Sequence, residues 1–444
     1  MTQINPTDGV AAPRIAGSVD NRTSILRSFL ILIIPGLAIL GGLAPGFGPL
    51  FAFRLAALTY ILVAFFSPLQ RERAPSTFLS WATIGCFLWL GSLGLLLLFR
   101  GTNDAGSAEV LSVLIGVLLI LAVLRGPFTR QMLMLWAYGW LLAYVAAAAV
   151  AVWELATGRH LPNFYVYVLD IRYWNQENVV AATLGNPNNY AFFLVVSALV
   201  CAFGRHSANG RASRISFTAG LVTAPILVFF TQSRLALALV LTVTLFAVAM
   251  RRPVWLFLAG PLGVGALIVT VENPQWILQV FGLRGSTISD ALGADVSGEV
   301  RVNLFLNGMD FATRGAFLGL GPGSFEQMML SGSPRFWTAG IINPHNLLIE
   351  VLLQYGAVVF VPLLIALTRA AVVAAGCSFN EELDRFDRTL ARSVLLIVIS
   401  LPVLGLMSST TLNMSFPWVC FAFVALSAAY LEIGIVEKSE RRSA

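Results

Sequence analysis

Long stretches of this chain carry no charge. No Asp, Glu, Lys, Arg or His lies between Arg27 and Arg54, between Arg73 and Arg100, or between Arg130 and Glu154. Apolar runs of about 17 residues or more are long enough to cross ~30 Å of hydrocarbon. In lipid such segments must satisfy their own backbone hydrogen bonds, so they are read as helices and the chain as an all-α, polytopic transmembrane helical bundle. Composition agrees, with 57% hydrophobic and 11% charged residues against about 25% charged in a soluble domain. Soluble, disordered, collagenous and disulfide-framework classes are excluded on that basis.

Twelve spans are expected, near 25–43, 48–68, 77–98, 108–124, 131–153, 187–204, 215–231, 234–250, 254–272, 344–368, 391–408 and 414–433. The polar N-terminal residues precede no cleavage motif, so the first span reads as a retained helix rather than a signal peptide. The domain layout follows: a tail over 1–24, a transmembrane domain over 25–433 and a second tail over 434–444. Two loops within the domain are long, 154–186 and 273–343. Loops beyond about 15 residues are usually functional or disordered, and the apolar periodicity of these two predicts folded, functional segments.

Net charge is +6, and Lys438 is the only lysine among 28 basic residues. With both termini placed in the cytoplasm, 19 basic residues fall on that side and eight on the other, Arg54 being inside a span. This is the positive-inside bias. It explains the charge as topology and removes the nucleic-acid reading. The four cysteines, Cys86, Cys201, Cys377 and Cys420, all fall in spans or on the cytoplasmic side, so no external disulfide is expected.

Four short motifs stand out on the expected external side. Gly185-Asn186-Pro187-Asn188-Asn189-Tyr190-Ala191 opens the sixth span, with Asn186 as N-cap and Pro187 as first helical residue. It serves either as a plain cap or as a set of hydrogen-bonding Asn side chains for a sugar or phosphate. Thr231-Gln232-Ser233-Arg234 is a hairpin whose Arg234 opens the eighth span. Snorkelling to headgroups is its ordinary explanation, yet an Arg there runs against the charge bias.

The third motif is Arg301 within an amphipathic stretch running to about residue 316. At about 100° per residue, Asn303, Asn307, Asp310 and Arg314 share a polar stripe. Arg301 lies about 160° away, on the apolar side with Phe305 and Ala312. An Arg there, in the first turn, calls for an anion or a buried structural ion pair. The fourth motif is Asn343-Pro344-His345-Asn346-Leu347-Leu348-Ile349-Glu350, a second Asn-Pro start that puts His345 at the second position of the tenth span. There the positive helix end keeps an imidazole neutral and able to act as a base. His206 is cytoplasmic, and His160 lies in a loop without comparable anchoring. Asn346, Glu350 and Gln354 make a polar stripe inside the span, about 140° round from His345; interhelical hydrogen bonding is its simplest explanation, though an intramembrane acid is a functional candidate. Gly319-Leu320-Gly321-Pro322-Gly323 lacks the Lys-Ser/Thr ending of a phosphate loop and reads as turning and packing.

Asn186, Arg234, Arg301 and His345 thus all map to helix starts on one side, where free N–H groups and the dipole favour anions. That combination suits a diphosphate. No His, Asp, Glu and Cys set has metal-ligand spacing.

With these residues in hand, the chain resembles the O-antigen ligase and O-antigen polymerase superfamily of bacterial membrane glycosyltransferases. The matching pieces run in order over about residues 150–360: the Gly-Asn-Pro-Asn-Asn-Tyr-Ala span start, Thr-Gln-Ser-Arg, Arg301, Gly-Leu-Gly-Pro-Gly-Ser-Phe and His-Asn-Leu-Leu-Ile-Glu with Gly356 beyond it. The resemblance implies transfer of a glycan from a polyprenyl diphosphate, here undecaprenyl diphosphate, to an acceptor hydroxyl, by a ligase or a polymerase of surface polysaccharide. It implies catalytic roles for His345, Arg301 and Arg234, and no metal or cofactor. Substrate contacts are expected from Asn186, Asn188, Arg172, Asn346 and Glu350. The expected partners are the lipid-linked glycan donor, a glycan or lipid-linked acceptor, membrane lipid and other membrane proteins of polysaccharide assembly, with no nucleic acid. The expected location is the inner membrane, with an inverting site on the periplasmic side. The rival reading is an exporter of lipid-linked glycans, which predicts related halves and polar residues near mid-membrane. No repeat is found, and mid-span charge is mainly Arg54 and Glu350.

Overall fold

A computed structural model of the chain describes residues 21–47, 49–67, 76–102, 104–162, 178–249, 294–332 and 334–443. Among them are fourteen α-helices. The first five are α1 (Asn21–Leu40), α2 (Ala52–Phe66), α3 (Thr77–Arg100), α4 (Asp104–Arg125) and α5 (Arg130–Thr157). Next come α6 (Pro187–Ser207), α7 (Arg211–Phe230), α8 (Arg234–Ala249), α9 (Ala294–Arg314) and α10 (Ser324–Leu330). The last four are α11 (Leu347–Tyr355), α12 (Ala357–Phe379), α13 (Arg385–Met407) and α14 (Ser415–Ser443). A hairpin of two-residue strands, Gly46–Phe47 and Leu50–Phe51, precedes α2.

Among the described residues eight helices are long and apolar enough to cross a membrane: α3 to α7 and α12 to α14. The expected first, second and eighth spans fall on shorter apolar helices, Ile25–Leu40, Ala52–Phe66 and Arg234–Leu245. The expected ninth, 254–272, lies outside the described residues. The tenth is corrected: 344–368 is not one helix but α11 and α12, broken at Gly356.

The break has a clear cause. Gly356 holds φ +80°, and a Cβ there would sit 2.6 Å from the Leu318 carbonyl carbon. Gly319, at φ +90°, packs on Tyr355, where a Cβ would sit 2.9 Å from the carbonyl carbon. The Gly319–Gly323 turn thereby reaches the open end of α11, where Leu320 N–H donates to Leu353 O (2.9 Å) and Gly321 N–H to Gln354 O (3.0 Å). Carbonyls orphaned at a helix end gain partners this way. The turning and packing role read for this glycine run holds.

α6 is the most deeply buried span and packs against α5, α7, α8 and α13, as a helix apolar on all sides should. Small residues let helices approach closely in the bundle; Gly139 of α5 leaves no room for a Cβ beside Leu32 O of α1.

The two ends of the bundle differ in chemistry. At one, Arg130 binds Asp384 and Asp387, Arg369 binds Glu432, Arg385 meets His206, and Arg125 donates to Ala64 O and Phe65 O. At the other lie the starts of α2, α4 and α6 and the α13–α14 connection. There Arg54 donates to Pro49 O (2.7 Å) and Ser112 Oγ (2.8 Å), and Ser112 donates on to Asn413 O (3.1 Å). Arg54 is therefore a buried strut between α2 and α4.

Candidate functional site

The site is assembled around His345, just before α11. Asn346, not Pro344, starts the helix: its Oδ1 accepts from Leu348 N–H (3.0 Å) and Ile349 N–H (3.2 Å). The expected second Asn-Pro helix start is corrected accordingly. His345 stands one residue outside the helix at φ +45°, a left-handed conformation that costs a non-glycine residue about 1–3 kcal/mol and persists where surroundings enforce it.

Those surroundings are the α13–α14 connection. His345 N–H donates to Ser409 O (3.1 Å), and its ring hydrogen-bonds the Met407 backbone. Nδ1 is buried without a hydrogen-bond partner. Burial first, then the charge of Arg301, push the imidazole pKa down to about 4, against the pull of the Met407 bond. The ring is therefore neutral at pH 7, with an acceptor nitrogen free. The cause differs from the helix-end effect expected from sequence.

Arg301 comes from α9. That helix begins at Ala294, so Arg301 sits in its second turn rather than its first. α9 crosses α11 where Gly308 meets Ile349, so closely that a Cβ on Gly308 would fall 2.3 Å from Ile349 Cγ2. Arg301 lies seven residues earlier on the same face, which carries it toward His345. It is half-buried, burial works against its charge, and it has no hydrogen bond or ion pair with any described residue. The polar stripe opposite is covered by the 335–337 segment. Asn307 accepts from Arg335 N–H (2.8 Å) and Phe336 N–H (2.9 Å) and donates to Phe336 O (2.8 Å), while Asn303 donates to Trp337 O (2.9 Å). Arg314 pairs with Asp310.

Asn186 caps α6 as expected, accepting from Asn188 N–H (2.8 Å) and Asn189 N–H (3.4 Å), with Pro187 the first helical residue. Asn189 is buried, and its Oδ1 accepts from Ser408 Oγ (3.2 Å). Asn186 and the half-buried Asn188 thus belong to the same corner as Met407–Ser409. Arg234 opens α8, which packs on α6 and α13. It is half-buried, with no hydrogen bond or ion pair among the described residues. Arg172 lies outside the described residues.

Glu350 is 1% exposed, and its Oε2 and Oε1 accept from Thr411 N–H (2.9 Å) and Leu412 N–H (3.3 Å). Gln354 accepts from Gly323 N–H (2.5 Å). Glu350 and Gln354 of the α11 stripe thus bind the backbone of neighbouring segments, whereas Asn346 caps its own helix. Glu109 of α4 was not singled out there, yet it accepts from Tyr355 Oη–H (2.6 Å) and Gly323 N–H (3.3 Å) behind the site. An ionisable residue at the edge of a span was the available signal. Met407 and Ser409 contribute through backbone atoms and leave no sequence signal.

His160 is anchored after all, Nδ1 to the buried Glu154 (2.9 Å) in the loop before α6. Glu154 also accepts from Ala181 N–H and Ala182 N–H, which makes this pair a structural clasp. Among the described residues no three His, Cys, Asp or Glu side chains form a metal-holding group.

The charge of Arg301 reaches the neutral His345 ring, and neither Arg301 nor Arg234 has a hydrogen bond or ion pair among the described residues. Residues 219–364 match the O-antigen ligase family model. The matched stretch contains Arg234, Arg301, His345 and Glu350, and it supports membership of the O-antigen ligase and polymerase superfamily that the motifs resemble. It indicates a ligase-type membrane glycosyltransferase of polysaccharide biosynthesis, multi-pass in the membrane. A search of curated proteins gives no match.

Proposed function

We propose that this protein transfers a glycan from a polyprenyl diphosphate to an acceptor hydroxyl at the periplasmic face of the inner membrane, with inversion. The observation that carries the reading is His345 Nδ1, buried and unpartnered beside Arg301, a cation with no hydrogen bond or ion pair among the described residues. The acceptor O–H gives its proton to Nδ1 as its oxygen bonds to the anomeric carbon, a general-base contribution of typically ~10²–10⁴-fold. The bond from that carbon to the diphosphate breaks, and its electron pair leaves with the diphosphate. Arg301 and Arg234 meet the charge that develops there, in a geometry fixed before reaction, and a forked guanidinium suits a diphosphate better than an ammonium.

Asn186, Asn188 and Asn346 line the same corner as sugar or phosphate contacts, and Arg172 assists the donor. The chain works without metal or nucleotide. Its partners are the lipid-linked donor, a glycan or lipid-linked acceptor and other membrane proteins of polysaccharide assembly. The test is transfer from a defined lipid-linked donor by the purified protein in lipid. His345→Ala should abolish transfer while the protein stays folded; wild-type rates from that variant would overturn the reading.

A further inference from the structure

His345 is a residue in a strained conformation whose productive position depends on something outside its own helix. Its backbone and its ring are both held by one short segment, through Ser409 O and the Met407 backbone. The far end of that segment, Thr411 and Leu412, is held by the two oxygens of Glu350. Ser408, between them, is tied to Asn189 of α6. Below this, Gly405 of α13 packs directly on Leu347, where a Cβ would come 2.6 Å from the Leu347 Cβ. The segment 407–412 is thus a plate clamped to α11 at both ends: at one by His345 and Leu347, at the other by Glu350.

We propose that Glu350 is a positioning residue. It does not touch the substrate but orients His345 by gripping the 407–412 plate that holds the imidazole. His345 bonds Met407 and Ser409 while Glu350 bonds Thr411 and Leu412, so the coupling runs through the plate and not through a direct contact. Each carboxyl oxygen is engaged by a backbone N–H group, and at 1% exposed the side chain is closed off from a glycan. The other acids facing it, Glu109 and Glu326, come from α4 and α10. Glu109 is itself engaged by Tyr355 and Gly323.

The inference rests on the proposed function only for what His345 does, not for how it is held. Glu350→Gln is the informative change, because a carboxamide offers one acceptor oxygen and turns an NH₂ toward the second backbone N–H. Turnover should fall about a hundredfold, as a misplacement near 1 Å costs, with the donor KM unchanged. The decisive readout is independent of turnover: ¹⁵N NMR of the histidines in nanodiscs. The chain has three, and His345 is assigned by its loss in His345→Gln. In Glu350→Gln the His345 titration midpoint should rise by about one pH unit or more and its single tautomer should become a mixture. Glu350→Asp keeps the carboxyl group with a shorter reach, should show the same changes in smaller measure, and serves if Glu350→Gln fails to fold. An unchanged His345 titration and tautomer in a folded variant would overturn the positioning role, whatever happens to turnover. If instead His345→Ala keeps full transfer while the NMR changes appear, the base assignment fails and the clamp stands.

Discussion

The pH dependence of His345 tests the site's electrostatics most closely. An ordinary imidazole titrates near 6.5 and this one at about 4. At about 1.4 kcal/mol per pH unit, the folded site prefers the neutral ring by roughly 3 kcal/mol. At pH 5 about nine tenths of the sites then hold a free base, against about 3% for an ordinary imidazole. Transfer should therefore persist to pH 5 and fall off near pH 4. The ring binds its proton more weakly folded than unfolded, so the same residue makes stability fall as pH drops from about 6.5 to about 4. Arg301→Met removes the second cause and leaves burial, the larger one. Its His345 midpoint, read by ¹⁵N NMR in nanodiscs, should rise but stay below 6.5. A wild-type midpoint between 6 and 6.5, or one unmoved by Arg301→Met, would refute this picture of a buried base beside a cation.

Other substitutions probe the scaffold. Gly356→Ala places a Cβ 2.6 Å from the Leu318 carbonyl carbon at φ +80°; backbone strain alone costs about 1–2 kcal/mol, so a lowered unfolding temperature and lost transfer are expected. Asn307→Ala removes three hydrogen bonds to the 335–336 backbone, about 2–4 kcal/mol in sum. Limited proteolysis should then cut near 334–340, and an uncut segment would contradict the role of Asn307 in holding it. Glu350→Gln should lower turnover while moving the His345 titration, as argued above.

Much of this was legible in the sequence because charge is so scarce. With most arginines assigned to topology, Arg234, Arg301 and His345 were few enough to notice, and the Asn186 cap followed from local chemistry alone. The α11–α12 break was not legible. It depends on Gly319, distant in sequence, packing against Gly356, and Leu347–Phe379 reads as one apolar helix without that contact. The start of α11 lies three residues beyond the expected one because two nearby signals compete, Asn343-Pro344 and Asn346, and the second asparagine reaches the helix N–H groups. Backbone holders such as Met407 and Ser409 carry no side-chain signature. Glu109 was visible but stood at a span edge, where one charge has an ordinary explanation.

The central claim is that His345 removes the acceptor proton in a glycan transfer from a lipid diphosphate. Single-turnover transfer by the reconstituted protein, with donor binding measured in parallel, addresses it directly. The account predicts that His345→Ala binds donor as the wild type does and forms no product. Product formation by that variant at the wild-type rate would contradict it.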